Sequence, residues 1–128
     1  MEEITANVNW MAVFVGAVLA YGLGWLWYSP MGFGKKWAEG VGTELAGTWG
    51  MPAGALVGQA IGTFLLAWVV GVTAANNALM TFVLIIVTFA ILVFCSGLFA
   101  KNSLYANCTN AGFIVAMAVV MFVAQAVL

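Results

Sequence analysis

The chain of 128 residues contains no histidine, no aspartate and no arginine, and only 5% of its residues are charged. Histidine and aspartate supply many metal ligands and much of the acid–base chemistry of hydrolases, so these classes of enzyme lack their usual residues here. A net charge of −1 also gives the chain no electrostatic attraction to nucleic acid. We therefore expect no catalytic residue, no metal, no cofactor and no nucleic-acid partner.

Polar residues are too scarce to cover the surface of a soluble domain. About a quarter of the residues in such a domain are charged, whereas 66% of this chain is apolar. Hydrocarbon must therefore be the solvent, and a helix in hydrocarbon satisfies its own backbone hydrogen bonds. The composition predicts an all-α integral membrane protein surrounded by membrane lipids.

Four apolar runs, each long enough for a span of about 20 residues, cover residues 5–28, 52–72, 79–99 and 102–128. The first run follows Glu2 and Glu3 instead of a basic segment, which indicates a retained helix and not a cleaved export signal. The connection at residues 75–77 is so short that the second and third helices must form a hairpin. We expect one domain over residues 1–128, in which four transmembrane helices form an antiparallel bundle with a glycine-rich loop between helices 1 and 2.

The loop over residues 31–51 is the longest polar segment, and it predicts at most a short interfacial helix over residues 35–46. Lys35 and Lys36 lie in this first connection and Lys101 lies in the third, so a four-span topology puts all the lysines on one side. Cytoplasmic loops of membrane proteins are enriched in lysine and arginine. We therefore expect the lysine-bearing side to be cytoplasmic and both termini to lie outside.

The end of the first apolar run combines a helix stop with residues that favour the membrane boundary. Ser29 precedes Pro30 and cannot easily stay helical, so the span ends there. Aromatic rings and lysines collect at the level of the lipid headgroups. We predict an interfacial anchor formed by Trp27, Tyr28, Lys35, Lys36 and Trp37. Two interpretations stay open: a plain membrane anchor, and a site for a lipid headgroup.

Small residues recur along two of the runs. On the second helix they are Gly54, Gly58 and Gly62, spaced four residues apart. On the first helix a comparable stripe consists of Asn9, Gly16, Ala20 and Gly24. Lipid gives helices no hydrophobic reason to associate, so small residues that let backbones approach are typical of packing faces. Such a face serves either a homo-oligomer or contact between helices of the same chain, and the sequence leaves both open.

Uncharged polar residues concentrate near the lysine-bearing side. The sequence predicts a polar layer there, formed by Gln59, Ser96, Asn107 and Asn110. One interpretation is a neutral binding pocket or a partial water path. The other is hydrogen bonding between helices, at about 0.6 kcal/mol per bond. A smaller group is expected at the other side, from Asn9, Asn76, Asn77 and Gln125.

Landmarks at both ends of the chain occur in the order found in a known family. They cover residues 9–10, 27–30, 33–35, 37, 102–105, 107 and 111–113. In this order the chain resembles the bacterial membrane family called domain of unknown function 1761. The resemblance implies one domain of four spans in the inner (cytoplasmic) membrane of a bacterium. It implies no activity, because the family name declares none.

Three hypotheses of function are compatible with these residues. We favour a membrane protein without enzymatic activity that acts as a homo-oligomer or as an accessory subunit of a membrane complex. The alternative is a small-solute transporter or channel with a neutral polar site near the cytoplasmic side. The third, a thiol redox enzyme using Cys95 and Cys108, has the least support because no Cys-x-x-Cys pair is present.

Overall fold

The computed structural model describes residues 2–29, 32–42 and 53–128, and every regular element within them is a helix. The helices are α1 (Glu2–Thr5), α2 (Trp10–Trp27), α3 (Gly34–Val41), α4 (Ala53–Ala75), α5 (Leu79–Phe99) and α6 (Leu104–Val127). Four of these, α2, α4, α5 and α6, are long and apolar enough to cross a membrane. By length and composition they make the chain a multi-pass membrane protein, as the sequence predicted.

The first predicted span differs from the structure at its start. The chain leaves the helical conformation at Asn7, where φ is 61°, a value that asparagine adopts more readily than most residues. Helix α2 then begins behind Asn9, whose side-chain oxygen accepts a hydrogen bond from the backbone N–H of Ala12 at 3.2 Å. Helix caps of this kind satisfy an amide that has no partner within the helix. Asn9 is therefore the N-cap of α2 and lies just outside the helix.

The predicted interfacial helix is present as α3, which is shorter than residues 35–46. It ends at Gly42, where φ is 78° and the residue forms a left-handed C-cap. Pro30 and the remainder of the predicted glycine-rich loop, apart from residues 32–42, lie outside the described residues. Helix α3 packs against the start of α6, and the backbone N–H of Ser103 donates to the carbonyl oxygen of Gly40 at 2.9 Å.

Helix α6 is the centre of the packing, in contact with α2, α3, α4 and α5. Among the described helices it has the most buried residues. The buried core comes from all four long helices and includes Val13, Ala17, Ala20, Ala67, Val70, Phe82, Ile86, Phe113, Met117, Ala118 and Met121. Tertiary contact therefore runs mainly through α6.

The small residues of α2 form a contact within the chain. A Cβ atom at Gly16 would lie 3.4 Å from the Cα atom of Met121, and one at Gly24 would lie 2.9 Å from Cζ of Phe113. Ala20, between them, is fully buried. Of the two interpretations of this stripe, packing against another helix of the same chain is the one the structure shows. The absence of side-chain bulk on α2 lets its backbone approach α6.

Candidate functional site

Asn110 on α6 joins three segments of the chain through one oxygen atom. Its side-chain oxygen accepts a hydrogen bond from the hydroxyl of Tyr28 at 2.7 Å and another from the indole N–H of Trp37 at 2.9 Å. Tyr28 follows the end of α2, and Trp37 belongs to α3. Burial raises the pKa of the Tyr28 phenol well above its ordinary value, so the hydroxyl keeps the proton that it donates.

Aromatic rings enclose this hydrogen-bonded group. The Tyr28 ring meets the rings of Trp37 and Phe113 edge-on, with centroids 4.9 Å and 5.4 Å away. Trp27 donates its indole N–H to the backbone carbonyl of Thr109 at 3.1 Å and packs against Phe33 with a centroid distance of 4.7 Å. Edge-to-face and tilted ring pairs of this kind each add stability beyond their buried area.

The turn after α2 brings these rings together. The backbone N–H of Phe33 donates to the carbonyl of Trp27 at 2.9 Å, and that of Gly34 donates to the carbonyl of Ser29 at 3.0 Å. A Cβ atom at Gly34 would overlap the carbonyl oxygen of Tyr28. The chain can fold back this tightly because residue 34 has no side chain.

The predicted interfacial anchor is therefore split between packing and exposure. Trp27, Tyr28 and Trp37 are half-buried and contact α6. Lys35 and Lys36 are exposed, and the Nζ atom of Lys36 lies 5.4 Å from the centroid of the Tyr105 ring. This distance suits a cation–π contact. The sequence identified these residues, but it did not indicate that the aromatic ones hold a side chain of α6.

The structure places the predicted polar layer in three different environments. Asn107 is fully buried beside Gly97, and its side-chain oxygen has no hydrogen-bond partner. Ser96 is exposed. Gln59 and Asn110, in contrast, line the same cavity. Two of the four predicted residues are brought together, and Ser96 and Asn107 are not part of that group.

This cavity, named here the α4–α5 cavity, has a volume of about 500 Å³ and opens between α4, α5 and α6. Its polar lining consists of Tyr28, Gln59, Thr63 and Asn110. Helix α5 contributes only apolar side chains, namely Ile86, Phe89 and Val93. Ligand sites in proteins have similar volumes and a similar mixture of many apolar and few polar groups.

Among the described residues, no hydrogen bond joins the members of the smaller polar group predicted at the other side. Asn9 caps α2, and the side-chain amide of Asn76 donates to the carbonyl of Val72 at 2.8 Å. Asn77 forms the turn before α5, with φ at 54°. The amide nitrogen of Gln125 is buried without a hydrogen-bond partner among the described residues. The first three residues thus have local roles at helix ends and turns.

The glycines of α4 differ from those of α2. Gly54, Gly58 and Gly62 are exposed, and a Cβ atom at any of them would meet no described atom within 4 Å. The structure therefore shows no contact within the described chain for this stripe.

Cys95 and Cys108 are both free. Across residues 2–29, 32–42 and 53–128, no three His, Cys, Asp or Glu side chains form a group that could hold a metal ion.

Sequence reasoning missed two residues that the structure makes important. Thr63 lines the α4–α5 cavity and donates its hydroxyl to the backbone carbonyl of Gln59 at 2.6 Å. Gly97 admits the Asn107 side chain against the α5 backbone. A threonine or a glycine inside an apolar run has no distinctive spacing, so only the spatial neighbours reveal these roles.

Four candidate spans and an aromatic cluster around Asn110 define a multi-pass membrane protein whose loop after α2 is bound to α6. The chain belongs to the family described as Protein of unknown function (DUF1761), whose model matches residues 11–127. This match confirms the resemblance recognised in the sequence. Comparisons with curated proteins and with solved structures found no match.

Proposed function

We propose that this protein has no enzymatic activity and acts by assembly in the membrane, as a homo-oligomer or as an accessory subunit of a larger complex. One observation carries the proposal, the exposed face formed by Gly54, Gly58 and Gly62, named here the glycine face. The absence of side chains at these positions leaves the backbone of α4 accessible, and no described residue covers it. Small residues four positions apart are typical of close helix–helix contact in lipid.

The position of the glycine face supports this interpretation. Thr63, Ala67 and Val70 are buried and mark the side of α4 that faces the rest of the chain. At about 100° per residue, the glycines lie on roughly the opposite side of the helix. Gly54 and Gly58 therefore point outward, toward lipid or another polypeptide, while Gly62 also lines the α4–α5 cavity.

A second copy of this chain fits the glycine face better than an unrelated surface does. A helix with regularly spaced glycines is complementary to itself, because each backbone fills the groove of the other. Gln59 is exposed at the edge of the face, and its amide nitrogen reaches only the Thr63 hydroxyl, at 3.5 Å. A carboxamide carries both donors and acceptors, so two copies of Gln59 can satisfy each other in a setting where lipid satisfies neither.

Gly58→Leu is expected to weaken self-association by at least about tenfold, because a side chain would hold the two backbones apart. The control is Gly22→Leu on α2, where a Cβ atom also meets no described atom within 4 Å. Subunit number per liposome, counted by photobleaching over a range of protein-to-lipid ratios, measures the effect. A wild-type protein that is monomeric at every ratio, or an equal loss in both variants, would contradict the homo-oligomer.

We also propose a single domain in which the four spans form an antiparallel bundle. The hydroxyl of Tyr21, late in α2, donates to the carbonyl of Leu56, early in α4, at 3.1 Å. The rings of Trp10 and Trp68, at the other ends of these helices, have centroids 5.4 Å apart. These contacts pair opposite ends of two long helices.

For orientation, the proposal is a bacterial inner membrane with the lysine-bearing side cytoplasmic and both ends of this chain outside. Cytoplasmic enrichment of lysine supports it. With Cys95 and Cys108 replaced by alanine, a cysteine at Glu3 is expected to react with a membrane-impermeant maleimide in intact cells. A cysteine at Lys101 is expected to react only after lysis. The reverse pattern would overturn the orientation.

A second candidate function is favoured by the α4–α5 cavity. Its lining includes Gln59 and Asn110, both of which the sequence assigned to a neutral site, and most of its other lining residues are apolar. Binding and passage of a small uncharged solute would use these groups. Ser96 and Asn107, the other members of the predicted layer, do not line this cavity, so the candidate depends on the two residues that do.

A further inference from the structure

We propose that the α4–α5 cavity binds one uncharged amphiphile, which presents an oxygen acceptor to the side-chain amide of Asn110 and lays its apolar body between α4 and α5. The inference rests on the second proposed function only for the location of the site. It requires neither passage of the ligand across the membrane nor assembly through the glycine face.

The orientation of the Asn110 carboxamide defines what the ligand must offer. An indole N–H is a donor and never an acceptor, so the atom of Asn110 that lies 2.9 Å from Nε1 of Trp37 must be the oxygen. The same oxygen also accepts from Tyr28. The amide nitrogen, with two N–H donors, makes no hydrogen bond to any described residue.

The Asn110 amide nitrogen is also accessible. Among the described residues the sealed polar side-chain atoms without partners are Oδ1 of Asn107 and Nε2 of Gln125, and the nitrogen of Asn110 is not among them. Asn110 lines the cavity. Two hydrogen bonds to its oxygen hold the carboxamide of this lining residue in position, so its nitrogen can bind an oxygen acceptor without reorganisation.

The lining excludes a charged ligand. Its polar groups are a phenol, two carboxamides and a hydroxyl, with no lysine or glutamate among the described lining residues. An ion taken into such a site would lose its hydration without gaining a partner of opposite charge. The acceptor is therefore carried by an uncharged group, a carbonyl or a hydroxyl.

The remainder of the lining requires an apolar body. Phe89 and Val93 of α5, Leu66 of α4, and Ile114 and Met117 of α6 line the cavity. A volume of about 500 Å³ lies within the range for ligands of drug size. One uncharged polar end and one apolar body of this size describe an amphiphile.

Photolabelling in lipid nanodiscs tests the proposal. The probe is a monoacylglycerol with a diazirine in its chain. The comparison probes are the fatty acid with the same chain, which is charged, and the corresponding alkane, which has no acceptor. Labelling by the monoacylglycerol is expected to concentrate on residues of the α4–α5 cavity and to exceed that of both comparison probes by about fivefold, as expected from one added hydrogen bond. Equal labelling by all three probes, or labels spread evenly over the lipid-facing surface, would overturn it.

Two variants probe the site independently. Val93→Trp fills the cavity and is expected to remove the labelling, whereas Ile91→Trp, at an exposed position of the same helix, is the matched control. Asn110→Ala removes the amide N–H without adding another donor or a charge, and labelling of the folded variant should weaken about fivefold. Unchanged labelling in a folded Val93→Trp or Asn110→Ala protein would contradict the site.

Two further experiments identify the source of the ligand and distinguish this proposal from the transport and assembly proposals. Competition by water-soluble glycerol monobutyrate indicates a solute from water, while competition only by long-chain monoacylglycerol indicates a ligand from the bilayer; absence of competition by both would overturn the site. If labelling persists but proteoliposomes show no flux of the ligand, the binding site is retained and the transport function is excluded. Labelling that persists in Gly58→Leu shows that binding does not depend on assembly, and its loss there would refute the single-chain site.

Discussion

Asn110→Ala is expected to lower the free energy of unfolding by about 2–4 kcal/mol, because it leaves two half-buried donors without an acceptor. The Tyr28 hydroxyl and the Trp37 indole both bond to the oxygen that this substitution removes. No other described side chain accepts from either donor. Reversible unfolding of the purified protein in mixed micelles, titrated with a denaturing detergent, measures the change.

Asn76→Ala is the matched control for this prediction. Asn76 is exposed and bonds only to the carbonyl of Val72 in its own helix, so the change there should stay within about 0.5 kcal/mol. If Asn110→Ala and Asn76→Ala had the same effect, Asn110 would not be the residue that joins α2, α3 and α6.

The spans were predictable from the sequence because their cause is local. A run of about 20 apolar residues has no alternative to a helix in hydrocarbon, whatever surrounds it. The break before α2 was not predicted because it depends on the positive φ of Asn7 and on the cap formed by Asn9. Each is a property of one residue, and the periodicity of apolar residues does not indicate it.

The candidate site was predictable only in part because its contacts are distant in sequence. Asn107 and Asn110 are one turn apart on α6, and helical periodicity alone treats them as members of one layer. The structure separates them, since Tyr28 and Trp37 come from segments 82 and 73 residues away to reach Asn110, whereas Gly97 on α5 faces Asn107. Helix packing determines which residue each side-chain amide contacts, and the sequence pattern does not predict that packing.

The two sets of glycines illustrate the same limit from another direction. Spacing on α2 and on α4 favours close approach of a backbone equally well. On α2 the approaching helix is α6, while on α4 no described residue occupies the space. The periodicity of small residues thus predicts that a helix face packs against another helix. Only the arrangement of the helices shows whether that other helix belongs to the same chain.

Gly97→Ala is expected to destabilise the protein by about 2–3 kcal/mol, the upper part of the range for an extra carbon forced into a packed contact. A Cβ atom at residue 97 would overlap the carboxamide of Asn107, which is fully buried between α5 and α6. Gly58→Ala adds the same methyl group where no described atom lies within 4 Å, and it should leave the free energy of unfolding of the single chain nearly unchanged.

A double-mutant cycle attributes the effect of Gly97→Ala to this contact. Asn107→Ala removes a side chain whose oxygen has no partner and whose nitrogen lies 3.5 Å from the carbonyl of Asn102, so its own cost should be modest. In the double variant the methyl group at 97 enters the space that Asn107 vacates, and about 2 kcal/mol of the loss should return as coupling. Strict additivity of the two substitutions would mean that Gly97 is required for helix flexibility instead of for admitting Asn107. Coupling of this size would establish that α5 and α6 are held together by one interlocked pair, a glycine that provides space and an amide that occupies it.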